Sequence, residues 1–332
     1  MRSRIDIFTV ASIGISAFGL EPIVHEVLGH AVVCWLTGGK VILISATAMQ
    51  TASTSRLVPA AGPIANILFG LAALALLRSL TTQQNAIVPA RTNARGDANL
   101  SEGRGLRVEN SAAIELGASG ADPTADAPVA SGATRVGLTR LFLYFFAFAN
   151  LFLAFGYILY SGLINFGDLA AVIAGLRPAW LYRTALVIIG ALGYRYGIAQ
   201  AARCLAQLLA CANTPLSLPA ARRITHTACF AGGVLFLLAS CLNPISPSLI
   251  LYDGISGAIG LTLGFFLALT DLRQSAAQRA VKSPAAASTS RTSAPQLIAP
   301  ELEIPFNFPL TVTAAIFAAA FLLFMGHGIR LP

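Results

Sequence analysis

Apolar residues in this chain neither alternate nor recur in narrow stripes. They come in long unbroken runs. The first covers roughly Ile7 to Leu36 and stops at Gly38 and Gly39, a helix-ending signal. The second, Leu57 to Leu77, holds no charged residue, and neither does the third, Leu141 to about Gly167. Further runs cover about 184–212 (broken by Arg195 and Arg203), about 227–242, about 248–269 with Asp253 inside, and 309–326. An α-helix needs about 20 apolar residues to cross a bilayer. The alternating segments of about ten residues that mark a membrane barrel are missing. The pattern predicts an all-α polytopic membrane protein with about seven transmembrane helices.

Between the runs the texture changes. "KVILISATAM", Lys40 to Met49, is too short to span and rich in β-branched residues, so it predicts an extended or re-entrant segment. Residues 81–137 contain no aromatic residue and are rich in small polar ones, which predicts a flexible low-complexity insertion. The chain divides accordingly. Residues 1–80 carry helices one and two, 81–137 the insertion, and 138–183 the third helix and a short connection. Residues 184–270 carry helices four to six, 271–305 a second flexible linker, and 306–332 the last helix.

Composition agrees: 56% of residues are apolar and 11% charged, against about 25% charged in soluble domains. Mean hydropathy is +0.72. The basic start and following apolar run look like a secretory signal, but no A-x-A-like cleavage site follows, so a retained first helix is expected. A net charge of +8 raises the question of nucleic acid. No basic cluster interleaved with aromatics supports it, and basic residues of membrane proteins gather in cytoplasmic loops. Their distribution favours a cytoplasmic N-terminus. The five cysteines lie in apolar stretches without a CxxC pair and read as small hydrophobes.

The candidate chemistry sits in "VHEVLGHA", Val24 to Ala31. Two of the chain's four histidines and a glutamate fall within six residues of a predicted spanning helix. Ionisable groups at membrane depth are expensive and mark function. In HExxH the two histidines lie at i and i+4, share a helix face and bind zinc, while the glutamate serves as base. Here His25 and His30 are i and i+5, about 140° apart on a regular α-helix. A π-bulge at Gly29 would absorb the extra residue, and such bulges are frequent at functional sites. The competing reading makes His25 and His30 interior polar residues, with Glu26 bonded to His30. Zinc also needs a third protein ligand and an open position for water. Asp168, in "NFGDLAAV", and Asp253, in "YDGISG", are the candidates. Asp168 also suits the N-cap of a short helix. His226 and His327 sit at segment ends, as interfacial residues do.

These residues give the chain a resemblance to the site-2 proteases, the intramembrane zinc metalloproteases. "HEVLGHAVVCWLTGG" looks like that family's first core helix. "AAGPIANILFG", with Gly62, Pro63 and Asn66, looks like the second, and "FFAFANLFLAFGYILYSGLINFGD", ending at Asp168, like the third. The resemblance covers about residues 7–176 without 81–137. It implies a three-helix core in which His25, His30 and Asp168 hold Zn2+ and Glu26 is the general base. It further implies Asn66 near the substrate (helix-packing glue is the competing role) and a transmembrane protein substrate cleaved within the lipid bilayer. It also implies a bacterial inner (cell) membrane, with the N-terminus outside in many members, against the charge distribution. Two departures stand out: the lengthened HExxxH, and "NFGD" in place of the usual L-D-G, which "YDG" at Asp253 imitates better. Substrate pairing with "KVILISATAM" as an added strand is a further expectation. A non-catalytic relative binding clients or metal, and a cation or proton transporter, are the alternative functions.

Overall fold

The computed structural model describes residues 4–102, 134–210, 217–282 and 302–331. After a two-residue strand, β1 (Arg4–Ile5), the first apolar run folds as one helix, α1 (Ile7–Leu36). Asp6 starts it: its carboxylate accepts the Thr9 amide at 2.7 Å, filling one of the helix's open donors. Gly38, with φ of +74°, follows its end, where the sequence places the stop. Immediately after Pro22 the helix widens into π turns over Ile23–Ala31 and returns to α geometry over Val32–Leu36. The expected one-residue bulge is therefore a nine-residue π segment.

The "KVILISATAM" stretch forms β2 (Val41–Ile44), which pairs antiparallel with β3 (Met49–Thr51). Helix α2 (Leu57–Glu102) carries the second run and continues well beyond it. Residues 81–102, assigned from composition to the insertion, thus continue the helix, Pro89 and Gly96 included. Residues 103–133 of that expected insertion lie outside the described residues, and its last four, 134–137, are described. Then follow β4 (Thr134–Arg135), α3 (Leu138–Ile164), the short α4 (Asp168–Ile173), α5 (Ala179–Leu209) and α6 (Leu218–Cys241). Helix α7 comprises Pro247–Leu249, π turns over Ile250–Ile255, and Ser256–Lys282. The linker expected at 271–305 is thereby helical to Lys282, and its residues 283–301 lie outside the described ones. The chain continues through β5 (Leu302–Ile304), α8 (Phe308–Gly326, with π turns over Leu322–Gly326) and β6 (Ile329–Arg330). Among the described residues, seven helices are long and apolar enough to cross a membrane.

Helix α3 is the axis of the assembly. It packs along α2 and α5 and also meets α1 and α7. Tyr144, Phe145, Phe148 and Phe152 are fully buried; Tyr144, Phe145 and Phe152 meet Phe265 of α7, and Phe152 also meets Tyr194 of α5, through tilted and edge-on ring contacts. Such pairs contribute about 0.5–1.5 kcal/mol each beyond area. Two small sheets tie the helix ends. One runs β1-β5-β4, all parallel; the other runs β3-β2-β6, all antiparallel. In the second, β2 is flanked on both sides. The strand expected to receive a substrate therefore has no free edge, and the outer edge of the hairpin belongs to β3.

Candidate metal centre

The π segment decides the geometry. In π turns the hydrogen bond runs from i to i+5, so residues five apart stack along one face. His25 and His30 meet this way, with their Nε2 atoms 3.2 Å apart and their rings edge to face. Both are buried, as is Glu26 between them. The one-residue lengthening that would separate the ligands on an α-helix is absorbed by the wider turn.

Helix α2 supplies the floor. Its "GPIAN" stretch crosses the π segment at Gly29 and Gly62. A Cβ on Gly29 would lie 2.7 Å from the Gly62 Cα. One on Gly62 would lie 2.5 Å from His30 Nε2 and 2.6 Å from His25 Nε2. Only glycine leaves room for both backbones and both imidazoles.

The third wall is the turn after α3. Asn165 (φ 57°) and Gly167 (φ +83°) reverse the chain and place Asp168 at the start of α4. The position of the helix cap belongs to Gly167, and no side chain caps α4. The Asp168 carboxylate instead faces the histidines, with Oδ2 3.1 Å from His25 Nε2 and 3.0 Å from His30 Nε2. Burial disfavours its charge, but the two imidazoles outweigh that and hold the carboxyl well below the usual carboxylate range.

Three ligand atoms thus form a triangle with edges of 3.0–3.2 Å. Three corners of a tetrahedron with bonds of 2.0–2.1 Å are separated by about 3.3–3.4 Å. The donor set is closed to within a few tenths of an ångström of that spacing. His30 Nδ1 lies 2.6 Å from the Val58 carbonyl, which can only accept, so Nδ1 carries a proton. With a second proton on Nε2, His30 is an imidazolium that donates to Asp168 Oδ2 at 3.0 Å; a neutral His30 turns a bare Nε2 lone pair toward that oxygen. A cation at the centre would take the place of the Nε2 proton, and the Val58 bond would then be an outer-shell contact of the kind that orients a metal-bound histidine. The His25, Glu26 and His30 side chains form a group that could hold a metal ion: their ligand atoms all lie within 4.8 Å of one another. Glu26 Oε2 is buried without a hydrogen-bond partner.

The centre opens on a cavity of about 460 Å³. Its lining includes Glu26, Asp168, Tyr157, Asp253 and hairpin residues such as Thr47, Met49 and Thr51. Asp253 lies outside the triangle, with its Oδ1 3.5 Å from the Tyr157 hydroxyl. His226, exposed against Phe266, and the exposed His327 take no part. Asn66 is fully buried and donates from Nδ2 to Glu21 Oε1 at 2.6 Å. It does not line the cavity, whereas Glu21 does, so the helix-packing role suits Asn66 better than substrate contact. Asn66→Ala is expected to lower stability by about 1–3 kcal/mol by stranding a buried carboxyl, with metal content unchanged. Thermal denaturation and metal analysis of the purified variant check this.

Glu21 and Tyr157 escaped the sequence reading. Glu21 carried a usable signal, an acid inside an apolar run. Tyr157 carried none among the aromatics of its helix. The π geometry has its own test. Leu28, 42% exposed, lies between Glu26 and His30 and faces away from the ligands. Deleting it leaves His25 and His30 at i and i+4 on an α-turn, and zinc affinity is expected to stay within about tenfold of wild type. Inserting an alanine after Leu28 should abolish binding, as a zinc titration would show.

No family model matches the chain, and neither a curated protein nor a solved structure is found to match it.

Proposed function

We propose that the chain is an intramembrane zinc endopeptidase that hydrolyses peptide bonds of transmembrane protein substrates. The observation that carries this reading is the triangle of the buried His25 and His30 with the half-buried Asp168, and Glu26 beside it. It brings together, from two separated stretches, the residues that the resemblance to site-2 proteases implies. Membrane insertion is supported by the seven spanning-length helices and by large apolar side chains left facing outward, such as Phe230, Leu192 and Ile316. Polar and ionisable groups are meanwhile drawn inward. Two nitrogens and one carboxylate oxygen in tetrahedral spacing, with an open side toward a cavity, are the donor set of a catalytic zinc site.

Zinc bound there would polarise the scissile carbonyl and bring the pKa of its water to about 7. The protein's own residues do the rest. His25, His30 and Asp168 fix the centre. The Val58 carbonyl holds the His30 tautomer that leaves Nε2 free. Glu26, with an unpartnered oxygen in the cavity wall, takes the proton from water and delivers it to the leaving amine. A substrate helix must unwind before attack, because its peptide groups are hydrogen-bonded to one another. The outer edge of β3, whose Met49 and Thr51 line the cavity, offers replacement partners to the unwound segment.

The test is purified protein reconstituted with a transmembrane peptide. One zinc per chain and a defined cleavage product are expected. Metal-replete protein that leaves every such peptide intact would overturn the reading.

A further inference from the structure

The third ligand reaches the centre on a turn, and a turn needs something to hold it. We propose that Tyr157 of α3, backed by Asp253 of α7, is a positioning pair that sets Asp168 on the metal. This rests on the metal reading above and gives α7, which lies outside the three-helix core, a part in the site.

The Asp168 amide donates to the Tyr157 hydroxyl at 3.3 Å. The hydroxyl is then free to donate onward to Asp253 Oδ1, at a long 3.5 Å. The Tyr157 ring stands edge-on to His25, with centroids 5.9 Å apart at 84°. One side chain therefore touches the residues of two ligands, Asp168 through its hydroxyl and His25 through its ring. The turn is shaped to admit it. Gly167 has φ of +83°, a conformation that L side chains rarely adopt, and a Cβ there would lie 2.7 Å from Tyr157 Cζ. Asp253 comes from the π turns of α7 and lines the same cavity. A tyrosine hydroxyl accepting from one group and donating to another has a fixed proton direction. Asp253, accepting at the far end, keeps the hydroxyl proton away from the Asp168 amide.

Competing roles make different predictions. If Tyr157 merely fills space, its hydroxyl is dispensable. If Asp253 is itself a metal ligand, an amide cannot replace it.

The experiment uses the full chain in detergent and two readouts that need no catalysis: zinc affinity by competition with a chromophoric chelator, and the visible spectrum of the cobalt(II)-substituted protein. Tyr157→Phe is expected to weaken zinc binding about tenfold, the lower end for loss of an outer-shell contact, and to shift the cobalt bands. Asp253→Ala should do the same. Asp253→Asn keeps an acceptor oxygen for the hydroxyl and should restore affinity to within about twofold of wild type. Tyr157→Phe with wild-type affinity and spectrum overturns the pair. So does Asp253→Asn as damaged as Asp253→Ala, which would make Asp253 a ligand or a charge rather than an acceptor. A wild-type protein that binds no zinc overturns the metal reading itself; bound zinc with unchanged variants overturns this inference alone.

Discussion

Glu26→Gln is expected to keep its zinc and lose peptide-bond hydrolysis by about 10²–10⁴-fold, the contribution of a positioned general base. The substitution is nearly isosteric, so the π segment and the ligand triangle should persist. What changes is the ability to accept a proton. Glu26 is buried between the two histidines, and its Oε2 has no partner to compensate. An amide there can neither take a proton from water nor pass one to the leaving amine. Metal analysis of the purified variant beside a peptide-cleavage assay checks both halves. Each other outcome has a meaning. Cleavage at the wild-type rate would remove Glu26 from the mechanism. Loss of zinc together with cleavage would make Glu26 a ligand, which its place within 4.8 Å of both imidazole nitrogens permits. Cation movement across reconstituted vesicles without any peptide product would favour transport over hydrolysis.

The sequence exposed most of the helical architecture because membrane-spanning length is a local property. The runs beginning at Ile7, Leu57 and Pro309 lie within helices of spanning length, while the one beginning at Leu141 outlasts its helix, which ends at Ile164. The helix that begins at Leu57 continues far past Leu77, to Glu102. The site was legible for a different reason. His25, Glu26 and His30 are costly inside an apolar run, so composition alone singled them out. The i, i+5 spacing, read against helix geometry, calls for a one-residue π-bulge, and the π turns extend over nine residues. Asp168 was harder. Its distance from His30 in the chain is 138 residues, and local pattern could not separate it from Asp253; only the packing of α3 on α1 and of α4 on α2 and α3 does so. Pairing across the sheets was not legible. The partner of β2 on its second side is β6, from the far end of the described chain. Nothing in "KVILISATAM" announces that neighbour.

Gly62→Ala is expected to lower zinc affinity by at least about 100-fold, beyond the upper end for an outer-shell change, although Gly62 ligates nothing. The added methyl would sit 2.5 Å from His30 Nε2, 2.6 Å from His25 Nε2 and 2.6 Å from His30 Cε1. That is inside contact distance of the atoms that must face the ion. Helix separation could relieve the clash, but α2 and the π segment meet there through Gly29 and Gly62, and the whole interface would have to open. Rotation of the imidazoles is the alternative, and it breaks the Val58 bond that fixes His30. Either response dismantles the triangle. A general cost of overpacking, about 1–3 kcal/mol, must be told apart from this specific loss. Gly70→Ala supplies the control on the same helix. Its Cβ would fall 2.8 Å from Leu151 Cγ and 3.0 Å from the Ala147 carbonyl of α3, away from the ligands. It should destabilise to a similar degree and leave zinc in place. Equal zinc content in the two variants would mean that the imidazoles do not converge over Gly62, and the metal centre would have to be sought elsewhere.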